Sequence, residues 1–213
     1  MLAVTHLKAG YAGRTVISIP QLTITQGQKT LLLGFSGSGK TTCLLAFAGL
    51  AETQTGEVHL KGQNLYALCP SERDLFRGRH IGFMFQALHL VRCLSVKENI
   101  LLPAFAARLD VDQDYVVSLL DRLGIADLMD KPVTDISQGQ AQRVAFARAL
   151  VTSPSLVLAD EPTSSLDDAS AQKVIDLFTA LTAETHATLI VASHDQRIAK
   201  AFDVVLDVEG FHE

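Results

Sequence analysis

Apolar and polar positions along this chain fall into three regimes. Residues 1–25 alternate. The short β-rich runs Leu2–His6, Thr15–Ile19 and Leu22–Thr25 are separated by turn residues, the pattern of an antiparallel sheet. Further along, Thr30–Leu33, Ile81–Phe85, Leu156–Ala159 and Thr188–Ala192 are compact apolar runs, which predict strands buried on both faces. Gly56–Leu60 before the turn Lys61-Gly62 predicts a hairpin, and Val204–Val208 a last strand. From Leu88 to Thr152 the period becomes helical. Ser95 with Glu98 makes a capping box ahead of a helix over Ile100–Leu109, which Pro103 is expected to end or kink. Tyr115, Leu119, Leu120 and Leu123 recur at helical spacing, with Gly124 as the stop. Ser137 with Gln140 caps a third helix, ended by Pro154. Other helices are expected over Cys43–Ala48, from Ser71 with Asp74 as its box partner, and over Ser170–Leu181. Together these predict one α/β unit over residues 1–213. Its core is a mixed sheet with an antiparallel part, about 1–87 and 153–213, interrupted by a helical subdomain over about 88–152.

Composition narrows the function. At 213 residues and 48% hydrophobic content the chain has room for one large core. A net charge of −5 argues against a general nucleic-acid-binding face, so no nucleic-acid partner is expected. Cys43, Cys69 and Cys93 are far apart and form no C-x-x-C pair, which speaks against zinc and fits a reducing cytosol. The N-terminus lacks a basic region before an apolar run, so it does not read as a signal peptide. No stretch nears the roughly 18 apolar residues of a membrane span. Any work at a bilayer needs a second, membrane-embedded chain.

The chemistry starts at Gly34-Phe35-Ser36-Gly37-Ser38-Gly39-Lys40-Thr41-Thr42, which fits G-x-x-x-x-G-K-[ST] without mismatch. An apolar strand precedes it and a helix follows. Glycines let successive amides turn inward on phosphates, and the helix start adds its positive dipole end. Lys40 is placed to meet β- and γ-phosphates, and Thr41 to offer its hydroxyl to Mg²⁺. These features predict ATP and Mg²⁺ as cofactors. Asp160 and Glu161 end a buried-type strand. The first suits a Mg²⁺-bound water, the second a general base for water attacking the γ-phosphate. Gln86 and His194 also end apolar runs, in reach of a metal and a γ-phosphate respectively, although either residue on its own is more often structural. Tyr11, in a glycine-flanked turn, is a candidate for stacking on adenine.

Taken together, the set resembles the nucleotide-binding subunit of ABC transporters over essentially the whole chain. The most diagnostic piece is Ile136-Ser137-Gln138-Gly139-Gln140 with Ala141-Gln142-Arg143, which is similar to the family's L-S-G-G-Q signature and its helix. Glu161-Pro162-Thr163-Ser164-Ser165-Leu166-Asp167 is similar to E-P-T-x-x-L-D, and the order of motifs is the family's. Gln138 stands where the family usually has glycine, and its side chain is expected to crowd a phosphate's approach. The stretches Arg79–Gln86 and Leu94–Ile100 resemble the short bacterial subunits of lipoprotein release, macrolide export and cell division, and methionine-type and other importers have similar stretches, so they do not separate these cargoes. The resemblance implies an ATPase driving a separate transmembrane permease from the inner face of the cell membrane. It also implies a head-to-tail homodimer, in which Ser137, Gly139 and Gln140 of one copy, and Asp167, serve the shared ATP sites. Apolar Leu88, Leu90, Val91 and Leu94, next to Gln86, are expected to line the permease groove. One rival is a soluble ATPase of the same head type acting on DNA. Such chains carry a long coiled coil between phosphate loop and signature. Here Lys40 and Ser137 are 97 positions apart with no sustained heptads. The other rival is a regulator that only binds ATP, against which Glu161 and His194 both argue.

Overall fold

In the computed structural model, residues 1–164 and 166–211 are described. Two sheets and six α-helices are seen among them. The first sheet is antiparallel. It contains β1 (Leu2–Tyr11), β2 (Arg14–Ile24), β4 (Glu52–Leu60) and the two-residue β5 (Gln63–Asn64), in the order β2-β1-β4-β5. The second is parallel throughout, with β6 (Ile81–Met84), β7 (Leu156–Asp160), β8 (Thr188–Ser193), β3 (Lys29–Leu33) and β9 (Val204–Asp207) in that order. The expected mixed sheet is thus two separate sheets, one of each kind.

Helix α1 (Lys40–Phe47) lies between the sheets, touching β1 and β4 on one side and β7 and β8 on the other. This explains why the parallel strands read as unbroken apolar runs. Leu156 and Leu158 point with Ile190 and Ala192 toward α1, into the core shared with the antiparallel sheet. Val157 and Ala159, with Leu189 and Val191, point the other way, onto α5 (Gln138–Leu150) and α6 (Asp168–Glu184). Alternate side chains on a strand face opposite sides, so burial on both sides leaves few polar positions; Thr30, Asp160, Thr188 and Ser193 are all buried near strand ends.

The helices α3 (Val96–Ala107), α4 (Gln113–Leu123) and α5 follow one another between β6 and β7. Ser95 caps α3 as its sequence predicts, with its hydroxyl accepting from Glu98 N and Glu98 accepting from Ser95 N at 2.7 Å. Pro103 neither starts nor ends α3, which runs through it to Ala107. The loss of one main-chain donor is tolerated where the helix faces a groove. Helix α2 (Pro70–His80) begins one residue before the expected Ser71. Pro70 sets the first helical φ, and Glu72, not Asp74, reaches back to the amide of Cys69. Asp74 pairs with Arg77 instead.

Strand β6 is pressed directly onto α5. A Cβ on Gly82 would lie 1.9 Å from the carbonyl oxygen of Ala149, so only glycine fits there.

Candidate active site

Three parallel strands, β3, β7 and β8, are neighbours in register, and the loops after their C-terminal ends meet. This is where ligands bind in open α/β sheets. After β3 the chain turns through Gly37 and Gly39, both with φ near +85°, before α1 starts at Lys40. Glycine adopts that conformation without the strain a Cβ brings. Gly34 is needed for a different reason. A Cβ there would sit 2.5 Å from the Ser38 hydroxyl oxygen, which is buried and has no partner.

Lys40 is only 6% exposed. Its ammonium donates to the carbonyls of Gly34 (2.8 Å) and Phe35 (2.9 Å) and lies 3.3 Å from Glu161 Oε1. Glu161 Oε2 in turn lies 2.9 Å from His194 Nδ1, so the β7 and β8 ends are joined through this carboxylate. The Glu161 backbone is left-handed, with φ 47°, and its amide donates to Ala192 O at 2.8 Å. A non-glycine residue held there is costly, and such positions gather at functional sites. Next to it, Asp160 is 2% exposed. Its Oδ2 accepts from the Thr41 hydroxyl at 2.7 Å, while its Oδ1 has no partner. Burial pushes the Asp160 carboxyl above the usual carboxylate range, and the neighbouring Glu161 charge adds to this. The Thr41 hydrogen bond and Lys40 oppose it.

These residues line a cleft of about 500 Å³. Its walls are Val16, Phe35, Ser36, Gly37, Gly39, Lys40, Thr41, Thr42, Gln86, Glu161, Ser164 and His194. The sequence placed nine of the twelve; Val16, Phe35 and Ser164 are additions. Val16 comes in because the Ala12-Gly13 turn, with both φ positive, folds β2 back along β1. Tyr11 stands at that hairpin tip, 47% exposed and outside the cleft lining. Asp167 caps α6, accepting from Ser170 N at 3.0 Å, and also lies outside the lining.

Ser137, Gly139 and Gln140 form a separate surface. Ser137 is the N-cap of α5, and Gln140 Oε1 accepts from its amide at 2.8 Å. Nothing lies within 4 Å of a Cβ placed on Gly139. The helix start is therefore tied up sideways by its own cap and left open in front, and no residue of it lines the cleft of the same chain.

The ABC transporter family profile matches residues 18–164. A lipoprotein-releasing system ATP-binding protein, LolD 1 of Rhodopirellula baltica, is 38% identical over 205 residues, covering 93% of this chain and 90% of its own length. This chain belongs to the ABC transporter family. The macrolide export ATP-binding/permease protein MacB of Psychrobacter cryohalolentis is 35% identical over 97% of this chain, which spans 31% of that longer protein. Among solved structures, the dimeric bacterial ABC transporter cassette MJ0796 superimposes with a TM-score of 0.85 at 28% identity, covering 98% of this chain and 95% of that one. A post-hydrolysis state of the same cassette, a dimer bound to ADP and Pi, gives 0.84 at 29% over the same shares. The chain is an ATP-binding, ATP-hydrolysing subunit of a transporter, and the reading as a DNA-acting or purely regulatory ATPase is not favoured. Among the described residues no helix is long and apolar enough to cross a membrane.

Proposed function

We propose that this chain is the motor of a transporter of the lipoprotein-release and macrolide-export type, binding Mg·ATP in the cleft and hydrolysing it as a homodimer beneath a separate permease. One observation carries the reading. Residues from four separate segments, Lys40 and Thr41, Gln86, Glu161, and His194, converge on one cleft, with Asp160 directly behind Thr41.

The residues fit the implied groups. Asp160 Oδ1 is a buried oxygen without a partner, and Thr41 sits on the other oxygen of the same carboxylate. Hard oxygen donors of this kind suit Mg²⁺, and Gln86 adds an amide oxygen. When bound, Mg²⁺ would be held by Thr41, Asp160 and Gln86 and would neutralise phosphate charge, and ATP would supply the bond that is hydrolysed. Gly34, Ser36, Gly37, Ser38, Gly39 and Thr42 provide the cradle, and Lys40 provides its fixed positive charge. Glu161 takes the proton of the attacking water, and His194, bonded to the same carboxylate, orients it. Tyr11 and Val16 form the adenine side.

The open front of α5 points to the dimer. Each cleft is completed by Ser137, Gly139 and Gln140 of a second copy, whose free helix N-terminus faces the γ-phosphate. Asp167 and Ser164 sit on the loop between β7 and α6, beside that contact. Phe35, 76% exposed at the cleft's lip, is apolar surface that a second copy would cover. Residues of about 88–152 act as the signature-bearing subdomain on a core of about 1–87 and 153–213.

The permease side is a groove of about 600 Å³ along the edge strand β6, lined by Leu50, Leu75, Phe83, Phe85, Leu102 and Ala106 among others. It takes a short amphipathic helix from the permease's cytoplasmic side. Through it the chain is held on the inner face of the cell membrane. The residues first expected there, Leu88, Leu90, Val91 and Leu94, do not line it. Leu88 and Leu90 turn in against the core. The buried Asn99 side chain binds Val91 N and the carbonyls of Val91 and Leu94, drawing that segment onto α3.

The test is ATP turnover by purified protein. Glu161→Gln keeps the shape and should cost about 10²–10⁴ in rate while ATP still binds. Lys40→Ala should stay folded and lose ATP binding by calorimetry. Unchanged turnover in the first would move the base elsewhere; unchanged affinity in the second would remove the site.

A further inference from the structure

We infer that Arg148 is a positioning residue for hydrolysis: it ties the signature helix to the segment that carries Gln86. The inference rests on the proposed function and concerns how its site is set. Arg148 lies in the last turn of α5, the helix that begins at the Ser137 cap. Its Nη1 donates to His89 O at 2.9 Å and its Nη2 to Leu88 O at 2.5 Å. No carboxylate lies within ion-pair distance of it among the described residues, so the guanidinium spends its fork on two successive main-chain carbonyls. That choice is unusual for a mostly covered cation. Arginine forks are normally matched to carboxylates or phosphates.

The carbonyls belong to a short arc. Phe85 follows the last residue of β6 and stacks on Phe83, with ring centroids 4.1 Å apart. His89 returns edge-on to Phe85 at 5.5 Å. Between them lie Gln86, Ala87 and Leu88. His89 is left-handed, with φ 47°, so the arc is a strained turn that needs holding. Its near end is anchored by the strand, and its far end by Arg148. Gln86, two residues past the end of the strand, lines the ATP cleft. Arg148, His89 and Phe85 line the groove along β6. One guanidinium therefore touches the groove wall, the arc that sets Gln86, and the helix whose far end carries Ser137. Movement of any one of these is felt by the other two. Asn99 fixes the continuation of the same segment but binds no part of the arc, which leaves the arc to Arg148.

The experiment is a double-mutant cycle on the full chain with Arg148→Lys and Gln86→Ala, read by turnover and by amide hydrogen exchange. Lysine keeps the charge and most of the bulk but cannot span two carbonyls in a fork. Arg148→Lys should melt within a few degrees of the parent, bind a fluorescent ATP analogue in EDTA with unchanged affinity, and exchange the amides of 87–90 at least about tenfold faster. It should lower kcat and raise the Mg²⁺ concentration needed for half-maximal turnover. Because it acts through Gln86, adding it to Gln86→Ala should cause no further loss in kcat. A merely structural role predicts multiplied losses and no local change in exchange; either result overturns the inference. Should Arg148→Lys fail to fold, Arg148→Gln, which still reaches one carbonyl, takes its place in the same cycle. The two readings separate cleanly. A parent that hydrolyses no ATP defeats the proposed function, while exchange at 87–90 still decides whether Arg148 holds the arc.

Discussion

Asp160 carries the clearest conflict between stability and function at the level of single residues. Its carboxyl is buried, has one unpartnered oxygen, and is held above its usual range chiefly by desolvation. A raised folded-state value in an acid means that the nucleotide-free fold binds a proton more readily than the unfolded chain. Its stability therefore gains as pH falls through that raised value toward the ordinary value of about 3.9, and loses as pH rises past it. Asp160→Asn removes the charge and keeps an oxygen for Thr41. We expect its nucleotide-free Tm at pH 7.5 to lie above the parent's by about 2–4 °C, the scale of 1 kcal/mol in a chain this size. The difference should close as the pH approaches 4. Mg²⁺-dependent hydrolysis should meanwhile fall by about 10²-fold or more, since in the proposed function this carboxylate helps hold Mg²⁺. Melting curves against pH and a turnover assay check both; a variant that melts lower at pH 7.5 would show that the charge is compensated. Asp160, Glu161, Lys40 and Thr41 were legible in the sequence because motif spacing fixes them to strand and helix ends. Arg148 and Asn99 were not, because their partners are main-chain carbonyls and amides of a distant loop, and carbonyls have no signature in sequence.

Elements were legible where burial is complete and less so at their ends. Four apolar runs became parallel strands because both of their faces are covered. Helix boundaries depended on local chemistry that sequence leaves ambiguous: Ser71 and Pro70 both offer starts to α2, and the proline's fixed φ decides. Pro103 did not end α3, which runs through it to Ala107 with the proline on the side that lines a groove. The close approach of β6 to α5 was invisible, because Gly82 reads as an ordinary glycine in a strand. That contact makes a sharp test. Gly82→Ala places a methyl 1.9 Å from Ala149 O, a main-chain atom that cannot rotate away. Overpacking usually costs about 1–3 kcal/mol, and a fixed backbone puts this case at or above the top of that range. We expect a Tm lower by at least about 6–12 °C, or no folded protein at all. A Tm within two degrees would mean that β6 and α5 separate easily, and with them the arc that holds Gln86.

At the scale of the whole molecule, two cavities with no shared lining residue lie on either side of the β6 end. The ATP cleft opens past Gln86, and the apolar groove opens past Phe85. Phe85 and Gln86, the first two residues after β6, line different cavities, so this junction can report one site to the other without either ligand touching both. The separation allows the two functions to be removed independently. Leu75 is 42% exposed on α2, and Leu102 is half-buried on α3, so both border the groove rather than the core. A glutamate at an exposed position costs little in stability, usually within about 0.5 kcal/mol. In the groove it places a charge where the proposed permease helix would dock, and a desolvated, unpaired charge costs several kcal/mol at an interface. Leu75→Glu and Leu102→Glu should therefore bind ATP like the parent, since distant sites without common partners are nearly independent. They should lose at least about tenfold in co-purification with the permease, the equivalent of 1.4 kcal/mol. Glu161→Gln should do the reverse, keeping permease association and accumulating as a dimer with ATP on light scattering. If the glutamate variants stay bound to the permease at parental levels, the motor is held by another surface, and the junction at Gln86 loses its partner on the membrane side.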